Sequence, residues 1–207
     1  MLQLAATVRA RDPPHITGQE LSAIMKWKLA KGKFRPRLQQ FVDAADPGQV
    51  RTASTAAFKH LAHSPGGAPK PACMRKALEA MTAFKGVGPA TASAVLALAC
   101  DAVPFMSDEA LEAALPKREY TVKAFLGLAE ALQAMAQRAA DEEGDAASAV
   151  KPLSDACTGA DLSGCEWTAQ LVQLALYAAG ASSKKLHCAT PEEVEKLASA
   201  EPQTVPS

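Results

Sequence analysis

The sequence predicts an all-α protein, a bundle of packed helices, and three observations carry that reading. Apolar residues recur at three- and four-residue intervals in successive windows, as at Met74, Ala77, Leu78, Met81 and Phe84. Helix-start signals precede several of these windows: Thr17 followed by Glu20, Pro89 after a glycine, and Ser107 before two acids. The composition is 48% hydrophobic but only 5% aromatic, which suits alanine-rich helices with few bulky anchors. A length of 207 residues bounds the chain to one domain, or one domain with an appendage.

Residues 1–16 are poorly patterned and are expected to be poorly ordered. Thr17 and Glu20 form a capping box that opens a helix on Leu21, Ile24, Met25 and Leu29, and Gly32 ends it. Arg37 to Ala44 and Pro47 to His63 read as the next two helices, the second built on Val50, Ala53, Ala57, Phe58 and Leu61. Ser64 to Pro71, SPGGAPKP, is a loop by composition. Helices then follow at Pro71 to Phe84, Pro89 to Cys100 and Ser107 to Leu115. A long helix at Tyr120 to Ala140 carries Val122, Phe125, Leu128, Leu132 and Met135 along one side. Residues 141–165, with the run DEEGD, are expected to form an acidic loop inserted in a domain that spans 17–180. Glu166 to Ala179 is apolar on most sides and stops at Gly180, as a core helix would. Residues 181–207 should hold a short helix from Thr190, Pro191 and Glu193, then a disordered tail.

The stretch that organises the chain is Ala83 to Ala110, AFKGVGPATASAVLALACDAVPFMSDEA. Gly86 and Gly88 flank Val87 in a hairpin expected to be too tight for side chains at either glycine. The helix after it is so rich in small residues that it should be buried close to its neighbours. The N–H groups of Gly86, Val87 and Gly88, with those of the Pro89 helix, would converge on an anion such as phosphate. The plainer alternative is a glycine-capped turn between two packed helices. Upstream lies a basic run, Lys26, Lys28, Lys31, Lys33, Arg35 and Arg37, with no acid between Glu20 and Asp43. It is either a solvated face or a contact for a nucleic-acid backbone. Trp27 among these lysines could pack under their stems or stack on a base. The formal net charge of zero conceals an asymmetry: residues 1–85 hold 14 Lys/Arg against 5 Asp/Glu, and residues 86–207 hold 8 against 17. A basic half ending at the hairpin is what a phosphate-binding face requires.

The run F-K-G-V-G-P-A-T-A resembles the L-P-G-V-G-x-x-T-A hairpin of the helix-hairpin-helix (HhH-GPD) DNA glycosylase superfamily. With WKLAKGKFRP upstream and VPFMSDEA downstream, the pattern is most similar to that superfamily's Amun-like eukaryotic branch, over about residues 20 to 115. The resemblance implies a helix-hairpin-helix, DNA-glycosylase-like orthogonal helical bundle. It implies duplex DNA as partner, held through Lys85, Gly86, Val87, Gly88, Ala90 and Thr91, with Lys28, Lys31, Lys33, Arg35 and Arg37 beside them. That family's aspartate follows the first hairpin glycine at a set distance. Asp108, 22 positions after Gly86 and preceded by Pro104, falls there and would be the catalytic residue. In the family such an aspartate stabilises the developing sugar cation as the base leaves and helps water attack. Read alone, Ser107, Asp108 and Glu109 also make an ordinary helix start. Two positions depart from the family pattern. Lys85 replaces a proline, and Ala90 replaces the lysine with which bifunctional members form a Schiff base, so β-lyase activity is not expected. Two readings stay open: a monofunctional base-excision glycosylase, and a non-catalytic DNA- or protein-binding module that retains the hairpin.

Other classes are set aside by what the sequence lacks. The longest uncharged stretches, Gly86 to Cys100 and Trp167 to Ser183, are too short to span a bilayer, and no sustained apolar core marks a signal peptide, so a soluble protein is expected. Arg9 and Arg11, with no acid before Asp12, leave a short organellar presequence open. Cysteines 73, 100, 157, 165 and 188 contain no CxxC pair, which argues against a zinc ribbon and a regular disulfide framework and fits a reducing compartment. They also lack the spacing of the four-cysteine loop found in some glycosylases of this type, so no iron–sulfur cluster is expected. His60 and His63 share a helix face without acidic or cysteine partners, so no metal site is assigned. The resemblance implies a monovalent cation at the hairpin carbonyls as the one possible cofactor, and a nuclear or nucleo-cytoplasmic location.

Overall fold

The structure is a computed structural model, and it describes residues 2–31, 35–62, 68–141 and 167–183. Those residues are all-helical. In chain order they form α1 (Leu2–Arg9), α2 (Gly18–Lys31), α3 (Pro36–Asp43), α4 (Pro47–Ala62), α5 (Pro71–Thr82), α6 (Pro89–Ala99), α7 (Asp108–Ala114), α8 (Val122–Asp141) and α9 (Ala169–Ser183). The expected acidic loop 141–165 and the final helix at Thr190 lie outside the described residues, apart from Asp141 itself.

The core forms around α6. Its Ala92, Ser93, Val95 and Leu96 are wholly buried, and α1, α2, α4, α5 and α8 all pack against it. Alanines and a serine let five neighbours approach one helix closely, and bulkier residues on those neighbours fill the remaining space. Leu21, Ile24 and Met25 come from α2, Met74, Leu78 and Met81 from α5, and Phe125, Leu128 and Leu132 from α8. α4 and α5 form the most extensively packed pair, and α9 lies across α7 and α8.

The N-terminal segment corrects the sequence expectation of disorder before Thr17. Residues Leu2–Arg9 are helical and pack on α6, with Val8 fully buried. Arg9 ties this helix down at long range: Nε donates to the Leu98 carbonyl at 2.8 Å, and the guanidinium forks onto Asp101 at 2.6 and 2.9 Å. Eight residues are too few to show a helical period that stands out in sequence, and the anchoring acid lies 92 positions away.

The capping box is present in both directions. Thr17 N–H donates to Glu20 Oε2 at 2.8 Å, and Glu20 N–H donates to Thr17 Oγ1 at 3.2 Å. Arg11 adds a forked pair onto the same carboxylate, at 2.7 and 2.6 Å. Hydrogen bonding from Arg11 is the main cause holding the Glu20 carboxyl below its ordinary value, against the opposing effect of burial. Because the folded value lies below the unfolded one, this contribution is complete above the ordinary glutamate value of 4.5 and is lost as pH falls through the folded value. Thermal melts in steps down to about pH 3 should therefore show a steeper loss of stability in wild type than in Glu20→Gln. Parallel curves below the glutamate range would remove this pair as a source of acid sensitivity.

Candidate functional site

The turn that joins α5 to α6 is stabilised by three hydrogen bonds. Val87 N–H donates to the Phe84 carbonyl at 3.0 Å, and Thr91 and Ala92 N–H donate to the Gly88 carbonyl at 3.0 and 2.9 Å. Gly88 caps α6 and Pro89 opens it. The two glycines have different roles, which corrects the expectation that neither position tolerates a side chain. Gly86 has φ of 89°, and a Cβ built there would lie 2.9 Å from Phe41 Cβ and 3.3 Å from the Leu38 carbonyl oxygen. Gly88 has extended backbone, with φ of −92° and ψ of 179°, and a Cβ there would have nothing within 4 Å. The turn is thus tight against α3 at its first glycine and open to solvent at its second.

The amides are also sorted. Val87, expected to offer its N–H to an anion, spends that donor on Phe84 and buries its side chain. The N–H groups of Gly86, Gly88 and Ala90 have no acceptor among the described residues. They remain the donors available at this end of α6.

Asp108 is delivered to the same place by a buried polar framework. Ser93 Oγ on α6 accepts from Met106 N–H at 3.0 Å and donates to the Ala90 carbonyl at 3.0 Å, fixing the loop that precedes Asp108. Ser107 caps α7 by accepting from Ala110 N–H at 3.2 Å, and Gln173 Nε2 on α9 donates to the same hydroxyl at 3.3 Å. Gln170 Nε2, one turn away on α9, donates to the carbonyl of Ala97. The two glutamines thus brace both ends of the α6–α7 connection from α9.

These elements enclose a cleft of about 660 Å³. Of the residues singled out in sequence, Gly86, Val87, Gly88, Ala90, Thr91, Lys28, Lys31, Arg35 and Asp108 line it. Lys85 does not: it is exposed, with its ammonium 4.3 Å from the centre of the Phe41 ring. Arg37 is exposed outside the cleft, and Lys33 lies outside the described residues. Trp27 packs inward, its ring centroid 5.2 Å from that of Phe105, which resolves its two readings in favour of packing. Lys31 Nζ lies 4.0 Å from the Tyr177 ring centre and 5.2 Å from that of Trp27, a cation shared between aromatics of α2 and α9.

Among the polar residues of the lining, sequence reasoning missed Arg118, Tyr120 and Tyr177. Tyr120 Oη donates to Asp108 Oδ1, and Arg118 Nη1 donates to Asp108 Oδ2 at 3.0 Å and to Glu112 Oε1 at 3.1 Å. Burial and the hydrogen bond to Asp108 push the Tyr120 phenol up to about 12, so it stays a proton donor throughout the neutral range. The available signal was an Arg and a Tyr within a dozen residues of Asp108, the first in a connection and the second at the expected start of the long helix. Lys28 is half-buried, and burial, reinforced by the charge of Arg35 and opposed by that of Asp108, pushes its ammonium below the ordinary lysine value. Four cations, Lys28, Lys31, Arg35 and Arg118, face two carboxylates, Asp108 and Glu109. The cleft therefore favours an anion while presenting one oriented acid.

Among the described residues no cluster of His, Cys, Asp or Glu could hold a metal ion, and no helix is long and apolar enough to cross a membrane. The chain matches no protein-family model, no curated protein and no solved structure.

Proposed function

We propose that this chain is a duplex-DNA-binding protein of the helix-hairpin-helix DNA glycosylase superfamily, and that it hydrolyses a base–sugar bond with Asp108. The observation that carries this reading is the convergence, in one cleft, of the Gly86–Gly88 turn, the cations of α2 and its following loop, and Asp108. The free N–H groups of Gly88 and Ala90 supply donors for a backbone phosphate, and Lys28, Lys31 and Arg35 supply charge. Asp108, half-exposed and held by Tyr120 and Arg118, supplies a fixed negative charge for a sugar that becomes cationic as its base departs. A monovalent cation at the turn and a nuclear or nucleo-cytoplasmic location belong to the same reading.

One observation favours the second reading, a DNA-binding module without chemistry: both oxygens of Asp108 already accept hydrogen bonds, from Tyr120 and Arg118. Hydrogen bonds to a carboxylate fix its position as well as engage it, and the Asp108 side chain stays 44% exposed. The two readings share the interface and differ only in the chemistry.

The interface is tested by salt dependence. Duplex affinity should be insensitive to sequence and fall steeply with salt, because each neutralised phosphate releases counterions. Replacing Lys31 and Arg35 together by Ala should flatten the slope of log K against log salt by about 1 to 2. An unchanged slope in the double mutant would remove these residues from the interface.

A further inference from the structure

Arg9, Arg11 and Arg118 all hold carboxylates, and the last does so differently. Arg9 and Arg11 each present two guanidinium nitrogens to one carboxylate, Asp101 at 2.6 and 2.9 Å and Glu20 at 2.6 and 2.7 Å, and each also reaches a backbone carbonyl. Such forks are the strong form of the pair. Arg118 uses one nitrogen, Nη1, for two carboxylates, Asp108 Oδ2 at 3.0 Å and Glu112 Oε1 at 3.1 Å. Its side chain is 47% exposed and lines the cleft, and its Nε and Nη2 have no acceptor among the described residues. Solvent screens a contact of this kind and leaves it open to exchange. Nε and Nη2 share one edge of the guanidinium, so together they fork onto two oxygens of a phosphate. Arg35 and Lys28 line the same cleft and add charge for the same anion.

The same contact works against the proposed chemistry while it lasts. A guanidinium 3.0 Å from Oδ2 offsets the negative charge that a developing sugar cation needs. Tyr120 brings no such charge, since its phenol stays protonated and donates to the other oxygen, Oδ1. Asp108 therefore keeps one fixed hydrogen bond when Arg118 departs. We infer that Arg118 is a phosphate-responsive latch: a duplex phosphodiester entering the cleft takes its guanidinium from Asp108, so that engagement of DNA uncovers the acid. The inference rests on the duplex-binding reading above, and it adds a phosphate-binding residue on the far side of Asp108 from the turn-bearing α6 in sequence, together with a means of regulating that acid. It also accounts for an Asp108 whose two oxygens are both occupied in the free protein.

The test uses the isotope-labelled full chain in solution NMR, with a short unmodified duplex as the probe. The Nε–H signal of Arg118, identified by its absence from Arg118→Lys, should shift as duplex is added, in step with binding read by fluorescence anisotropy. Arg9 and Arg11, forked and outside the cleft lining, should hold their positions. Over the same titration the Asp108 carboxyl carbon should move toward the position it has in free Arg118→Gln, where no guanidinium covers it. Duplex binding by Arg118→Gln should show a slope of log K against log salt reduced by about 1, because one phosphate contact is lost. Duplex binding that leaves the Arg118 or the Asp108 signal in place, or a slope unchanged in Arg118→Gln, overturns the inference and leaves the duplex reading standing. If no duplex binds, inorganic phosphate takes its place as the probe. Saturable movement of both signals then upholds the latch and overturns DNA as its trigger, and signals that stay in place overturn both.

Discussion

Release of a base from a lesion-bearing duplex is expected to fall by about 10²- to 10³-fold when Asp108 becomes Asn, with duplex affinity nearly unchanged. The substitution keeps the shape of the side chain and its place at the start of α7, one residue after the Ser107 cap. The amide oxygen can still accept from Tyr120, and Arg118 keeps Glu112. What is lost is the negative charge, which the proposed chemistry needs opposite a developing sugar cation. The measurement takes duplexes that each carry one lesion, such as uracil, an alkylated purine or an oxidised purine, and reveals abasic sites by alkali. If Asp108 serves only the helix start, no lesion is processed and Asp108→Asn costs about 0.3 to 1 kcal/mol of stability. Equal release by wild type and Asp108→Asn would assign the chemistry to another residue.

Gly86→Val is expected to destabilise the fold by about 2 to 5 kcal/mol, whereas Gly88→Val should leave stability nearly intact and weaken duplex binding. At Gly86 two costs combine. A β-branched residue is strained at φ of 89°, and its Cβ would meet Phe41 Cβ at 2.9 Å and the Leu38 carbonyl oxygen at 3.3 Å. At Gly88 the backbone is extended, which any residue adopts, and a Cβ enters open space. That space is where a phosphate would approach the free amides of Gly88 and Ala90. Chemical denaturation and a binding titration on both variants separate the effects. A stable Gly86→Val would contradict the geometry of the turn, and undiminished binding by Gly88→Val would contradict its role toward DNA.

Most of the helical framework was legible because it rests on local rules. The capping box at Thr17 and Glu20, the proline start at Pro89 and the Ser107 cap each appear where the sequence places them, since capping involves partners three residues apart. The apolar periods of α5 and α8 likewise put Met74, Leu78 and Met81, and Phe125, Leu128 and Leu132, into the core. The approach of α2's cations to the turn was legible only as a coincidence of charge and motif. α1 was missed because its fixing contacts, Arg9 with Leu98 and Asp101, join residues about ninety positions apart.

By itself the sequence determined the all-α class of the described residues, the positions of their caps and turns, and the candidate set of glycines, basic residues and one aspartate, because each depends on near neighbours. The tertiary structure alone decided which of these meet. It assigned the strained backbone to Gly86 and freed Gly88, took Val87 N–H out of use, seated Lys31 on Tyr177, and placed Arg118 and Tyr120 on Asp108. It also left Lys28 half-buried and unpartnered among the described residues. Burial and partnership are properties of packing between distant segments, and no local pattern in α2 distinguishes Lys28 from the lysines on either side of it.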